Sequence, residues 1–184
     1  MSNEACCFGY RNSIFKHLLN GKVIILSVVF KLNKNANVNS KYADVERYLN
    51  ENSISNPTPA EIRNAVINIR KNKLPEPSEI GSAGSFFKNP VVDKEFFDNI
   101  QRHFPEIKFY PAGKDFKLAA GWLIDQCGLK GYEHNGAAVH KKQALILINN
   151  GGATGKDVVE LSETIQNKVL EKFGVKLEPE AIIL

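Results

Sequence analysis

The densest apolar stretch of the chain is Lys22-Val-Ile-Ile-Leu-Ser-Val-Val-Phe-Lys-Leu32, whose β-branched content predicts a well-buried strand. Residues 33–40 hold four asparagines and little apolar surface, which reads as a loop, and a helical turn is expected around 44–49. The clearest boundary is Asn56-Pro-Thr-Pro-Ala-Glu61. Thr58 suits an N-cap, Pro59 the first helical position and Glu61 a capping box. Ile62, Ala65, Val66 and Ile69 then share one helical face, and Pro75 and Pro77 stop the helix near Asn72. A domain therefore starts near residue 57. Beyond it helices and strands alternate. Asp93 can cap a helix carrying Phe96, Phe97, Ile100 and Phe104. Residues 108–111 read as a strand, 118–126 as a helix ended by Gly128, and 136–140 with 144–149 as a strand pair. The best helix spans 155–173. Thr154 and Asp157 cap it, Val158, Leu161, Ile165, Val169 and Phe173 line one face, and Gly174 follows it; a last strand starts at Val175.

Composition narrows the class. With 43% hydrophobic and 24% charged residues among 184, the chain is an ordinary folded protein, and global disorder is excluded. A net charge of +4 is too weak to announce nucleic acid as a partner. Residues 23–32 are broken by Ser27 and Lys31 and fall short of a membrane span. The first twenty residues carry Glu4, Arg11 and Lys16 without an apolar run, so no signal peptide is expected. Three cysteines, two of them the adjacent Cys6 and Cys7, do not make a disulfide framework. The expectation is a reduced, soluble, cytoplasmic α/β or α+β protein.

Three candidate sites dissolve on inspection. The loop Gly151-Gly-Ala-Thr-Gly-Lys-Asp157 fails the phosphate-loop spacing, with Asn150 where glycine is needed and Asp157 in place of Ser/Thr. The four histidines have no metal-binding spacing, and no metal site is supported. The cluster Arg70-Lys71-Asn72-Lys73 is explained by the helix dipole more readily than by an anion site. Gly81-Ser-Ala-Gly-Ser-Phe-Phe-Lys-Asn-Pro90 resists dismissal, because its small residues permit close backbone approach to a ligand; on its residues alone it reads as a turn and an edge strand.

That stretch resembles the signature of the UDP-N-acetylenolpyruvoylglucosamine reductases, also called UDP-N-acetylmuramate dehydrogenases. Four further segments agree in order: Phe8-Gly-Tyr-Arg-Asn-Ser-Ile-Phe-Lys16, Arg70 through Lys73-Leu-Pro75, Ala119-Ala-Gly-Trp-Leu-Ile-Asp-Gln126, and Phe173-Gly-Val-Lys-Leu-Glu-Pro-Glu180. The resemblance covers the C-terminal half of the family pattern. It implies that residues 1–56 are the tail of a flavin-binding domain, 57–174 a UDP-sugar-binding domain, and 175–184 a strand returning to the flavin half. The family's glycine-rich flavin loop is not matched. Ser82 and Asn12 replace a usual Asn and Asp.

The resemblance further implies an enzyme of peptidoglycan synthesis, hence of cell-wall biogenesis, cell shape and cell division. Such an enzyme uses NADPH and FAD to reduce UDP-N-acetylglucosamine enolpyruvate to UDP-N-acetylmuramate. Hydride reaches C3 and a proton C2, so negative charge builds on the conjugated carboxylate. By resemblance Arg11 is the cation at that carboxylate, Glu180 its acidic partner, serving best when protonated, and Ser85 the proton donor to C2. Tyr42, Lys73, Asn89 and Gln143 match ligands of the diphosphate. Tyr110 matches a tyrosine over the nicotinamide or substrate, Arg70 is a looser match, and Tyr10 supports Arg11 and the flavin surroundings. The flavin half could reside in a separate chain. The alternative is a non-catalytic UDP-sugar-binding fragment.

Overall fold

Residues 1–34 and 42–183 are described by the computed structural model, and the chain divides into two units, Met1–Asn39 and Ser40–Leu184. In the first unit, two 3₁₀ turns, Glu4–Cys6 and Ile14–Lys16, flank a tight reversal in which the Gly9 and Asn12 backbones exchange both hydrogen bonds. The strand expected over 22–32 does not form. Ile24, Leu26, Val29, Phe30 and Leu32 are 76–95% exposed, and residues 23–33 lie outside helices and strands. An extended apolar run becomes a strand only when a neighbour takes up its N–H and C=O groups, and no described strand pairs with it. The loop expected at 33–40 falls mostly outside the described residues.

The second unit opens with α1 (Ala43–Glu51) and α2 (Pro59–Lys73). The turn expected at 44–49 is thus a full helix. At the start of α2, Thr58 Oγ1 accepts from Glu61 N–H, and the Glu61 carboxylate accepts from Thr58 N–H at 2.7 Å, which completes the capping box. Val45, Leu49 and Ala65 form a small buried cluster with Ile62 and Ile69 against it. Val66, assigned to the same face, is 38% exposed instead. It stands one position beyond the fully buried Ala65, on the shoulder of the stripe.

Two antiparallel sheets follow, which makes the unit α+β. The first runs β1 (Gly81–Ser85), β7 (Ile146–Asn149), β6 (Ala137–Val139), β5 (Glu133–His134); the second β2 (Val91–Val92), β4 (Asp115–Leu118), β3 (Phe109–Ala112). The pair expected near 136–149 is β6 with β7, whereas the helix expected from 118 begins only at Ala120 as α4 (Ala120–Gln126). Leu118 belongs to the β3–β4 hairpin, where it opposes Phe109. The helix α3 (Lys94–His103) is capped by Asp93 Oδ1, which accepts from Phe96 N–H at 2.8 Å.

The long α5 (Gly155–Phe173) carries the expected stripe. Leu161, Ile165 and Val169 are fully buried against Leu123, Ile124, Leu118 and Val139 in one core, and Gly174 adopts φ 67°, ending the helix in the left-handed region. The segment after it is extended but is not a strand. It meets the sheet region at a single bridge, Phe87 opposite Pro179.

Candidate functional site

Ser85 stands at the end of β1, where the register against β7 slips between Ser82 and Ser85 and Gly84 takes φ 73°. That slip turns an edge strand into a bend and leaves Ser85 exposed. Immediately after it the chain dives inward, with Phe86 and Phe87 both buried and their rings in edge contact at 5.1 Å. Phe86 then anchors two other segments. Its N–H donates to Leu145 C=O at 2.8 Å, and its C=O accepts from Glu180 N–H at 2.7 Å. Lys88 N–H donates to Glu178 C=O, and the Lys88 ammonium lies 3.1 Å from the Glu178 carboxylate. The backbone of half-buried Glu180 is therefore pinned one residue from Ser85. Pro179 fits because it opposes Phe87 at the position of the ladder that needs no N–H.

Of the positions matched to a diphosphate, Asn89 follows this ladder directly. The Asn89 carboxamide oxygen accepts from Ala120 N–H at 2.9 Å, at the start of α4. Gln143 stands over the same turn, and Leu145 follows it into the bond with Phe86. The neighbouring Lys142 donates to Asn72 C=O at 3.0 Å, which ties the segment before β7 to the end of α2 beside Lys73. Lys73 in turn pairs with Asp44 in the first turn of α1, two residues from the exposed ring of Tyr42. The Lys73 ammonium, which bonds Asp44 directly, holds the Asp44 carboxyl below its usual range, and Arg47 at 2.5 Å assists. Asp44, Lys142 and Gly121 have no chemical signature in the sequence. Only the pairing of distant segments reveals them.

The remaining positions sit on other elements. Tyr110 projects from β3, exposed, opposite Lys117, whose ammonium is 5.8 Å from the ring centroid. Arg70 is exposed and, with Lys71, Ile67, Leu74 and Pro75, borders a shallow groove. Tyr10 and Arg11 belong to the first unit, at the tip of the 9–12 reversal, with the guanidinium 5.9 Å from the Tyr10 ring. Arg11 has φ 52°, a left-handed conformation that costs a residue with a Cβ and presents its side chain at a turn.

The glycine loop after β7 is tied to itself by side-chain bonds. Asn149 Oδ1 takes the N–H groups of Gly151 and Ala153, and the Asp157 carboxylate takes that of Thr154. Three of the loop's N–H donors are thus taken up within it. Among the described residues no three His, Cys, Asp or Glu side chains gather as a metal site, and no helix is long and apolar enough to cross a membrane.

Comparison with known proteins gives the family. The family model of the UDP-N-acetylenolpyruvoylglucosamine reductase C-terminal domain matches residues 76–184. UDP-N-acetylenolpyruvoylglucosamine reductases of Chromobacterium violaceum and Flavobacterium johnsoniae are 48% and 47% identical to it over 100% of this chain. That of Pasteurella multocida is 51% identical over 98% of it. The chain spans about half the length of these relatives, 52–55%. It belongs to the UDP-N-acetylenolpyruvoylglucosamine reductase family and carries that family's C-terminal domain.

Proposed function

We propose that this chain is the substrate-binding half of a cytoplasmic oxidoreductase that converts UDP-N-acetylglucosamine enolpyruvate to UDP-N-acetylmuramate for peptidoglycan. On this reading residues 57–174 bind the UDP-sugar, and residues 1–56 and 175–184 complete a flavin-binding domain. The observation that carries it is the Phe86–Glu180 hydrogen bond, which holds the two acid-bearing positions, Ser85 and Glu180, on one short ladder.

When bound and reduced by NADPH, FAD would supply the hydride for C3. The residues of this chain do the rest. The Arg11 cation and the Glu180 carboxyl meet the substrate carboxylate, where charge develops. The Ser85 hydroxyl, exposed at the bend, gives its proton to C2. Lys73 offers charge to the diphosphate, while Tyr42, Asn89 and Gln143 offer hydrogen bonds. Arg70, at the rim of α2, adds positive potential, and Tyr110 faces the nicotinamide or the substrate. Tyr10 would support Arg11 and the surroundings of a bound flavin.

Titration calorimetry of the chain with UDP-N-acetylglucosamine enolpyruvate tests the reading, with UDP as competitor. Saturable binding displaced by UDP supports it, and no binding overturns it. A visible spectrum taken after adding FAD and desalting separates the enzyme half from a purely binding module. Retained flavin bands favour the first.

A further inference from the structure

Glycine inside a helix is a poor choice, because it gives up more backbone freedom than alanine. Gly121, the second residue of α4, is such a glycine, and its backbone does not require it, since its φ is not in the left-handed region. Space requires it. A Cβ at this position would stand 3.3 Å from Gln143 Oε1, 3.7 Å from Leu145 Cβ and 3.9 Å from the Leu145 backbone nitrogen. The segment 143–145 is confined on its other side too, because Leu145 C=O accepts from Phe86 N–H next to Ser85. Of the atoms that would be pressed, the Gln143 carboxamide, at the free end of a side chain, yields first.

We propose that Gly121 is a positioning residue: its missing side chain is the seat of the Gln143 carboxamide, which it aims at a nucleoside diphosphate. The proposal rests on the reading of Gln143 as a diphosphate ligand. The seat is shared with Asn89, whose carboxamide oxygen is fixed by Ala120 N–H on the same turn. α4 thus orients two amide side chains that differ in sequence by 54 positions (89 to 143). Filling the seat moves one of them by a few tenths of an ångström and leaves the helix intact.

The test is a cycle on the full chain, with UDP as the probe in titration calorimetry and thermal melting as the control. Gly121→Ala is expected to weaken UDP binding about fivefold, the scale of one misaligned hydrogen bond, without lowering the melting midpoint. A merely structural glycine predicts the reverse, a lower midpoint with binding lost in proportion. Gln143→Ala is expected to weaken binding about tenfold, and the double variant no further, because the effect of Gly121 passes through Gln143. Wild-type affinity in Gly121→Ala, a lowered midpoint, or a loss that adds in full to that of Gln143→Ala overturns the proposal. Wild-type affinity in Gln143→Ala would instead overturn the ligand reading beneath it.

Discussion

Lys73→Met separates the two jobs that the Lys73 ammonium performs. The first job is structural: it pairs with Asp44, and with side chains 44% and 40% exposed that pair is screened by solvent. Pairs of this kind contribute about 0.2–1 kcal/mol, so the variant should melt at most about 2–4 °C lower in a unit of this size. The second job is the proposed one, a charge-assisted bond to a diphosphate. Such a bond is worth about 1.5–3 kcal/mol, and the loss is nearer the low end here because Asp44 competes for the same ammonium. A tenfold weakening of UDP binding, about 1.4 kcal/mol, is the expected outcome in calorimetry. Asp44→Asn shifts affinity the other way, by roughly two- to threefold, since it removes a negative charge near the phosphates across a high-dielectric surface. Both effects should shrink as ionic strength rises. Lys73→Met that binds UDP within twofold of wild type, with an unchanged salt dependence, refutes the assignment and returns Lys73 to a purely structural role.

Three other outcomes follow from packing and protonation. Leu161 is fully buried in the main core, so Leu161→Ala should cost about 2–5 kcal/mol in urea unfolding; a smaller loss would mean that α5 closes over the cavity. Burial first, and the positive charge of Lys142 second, hold the His140 imidazole below its usual range, and its Nδ1 is buried without a hydrogen-bond partner. The unfolded chain therefore binds that proton more readily than the folded one. The stability due to the neutral ring is complete above about pH 6.5 and is lost as the pH falls below it. Melting midpoints between pH 8 and 5 should decline less in His140→Asn than in wild type, and parallel curves would refute this. The exposed run Ile24, Leu26, Val29, Phe30 should drive concentration-dependent association in light scattering, suppressed by Leu26→Lys with Val29→Lys; a wild-type chain that stays monomeric contradicts it.

Helices α2, α3 and α5 were legible because each carries its own start signal and a 3.6-residue stripe, as with Thr154, Asp157 and the Leu161–Ile165–Val169 face. Local signals also reached β6 and β7. They failed where an element's fate depends on partners. Residues 22–32 have the composition of a strand, but composition supplies no ladder. β3 is legible as the strand over 108–111, but β4 is not, because Leu118 reads as the start of the helix after it, although Gly113, at φ 68°, marks the turn. The candidate site was less legible still. Ser85 and Glu180 entered through resemblance to a family, since a serine in a small-residue stretch and a glutamate after a proline have no pattern of their own. Asp44 and Lys142 could not be read at all, because their meaning lies in bonds to residues 29 and 70 positions away.

The same nonlocality explains how the site can be built from weak elements. β1 is an exposed edge strand of five residues, and the segment after α5 is no strand. Neither would hold a side chain in place unaided. What fixes them is the pair of buried rings between the two chemical positions. Phe86 and Phe87 anchor the backbone in the main core, and the bonds on either side of Phe87 carry Glu178 and Glu180 with it. Gln166 on α5 adds a third tie, donating to Leu177 C=O at 2.8 Å, so the longest helix sets the height of the final segment. The positioning that the proposed catalysis would demand is thus borrowed from the core rather than from the strands that display the side chains. Substitutions at buried Phe87 or Leu177 should therefore disturb Ser85 and Glu180 together, whereas change at exposed Ala83 of β1 should be tolerated.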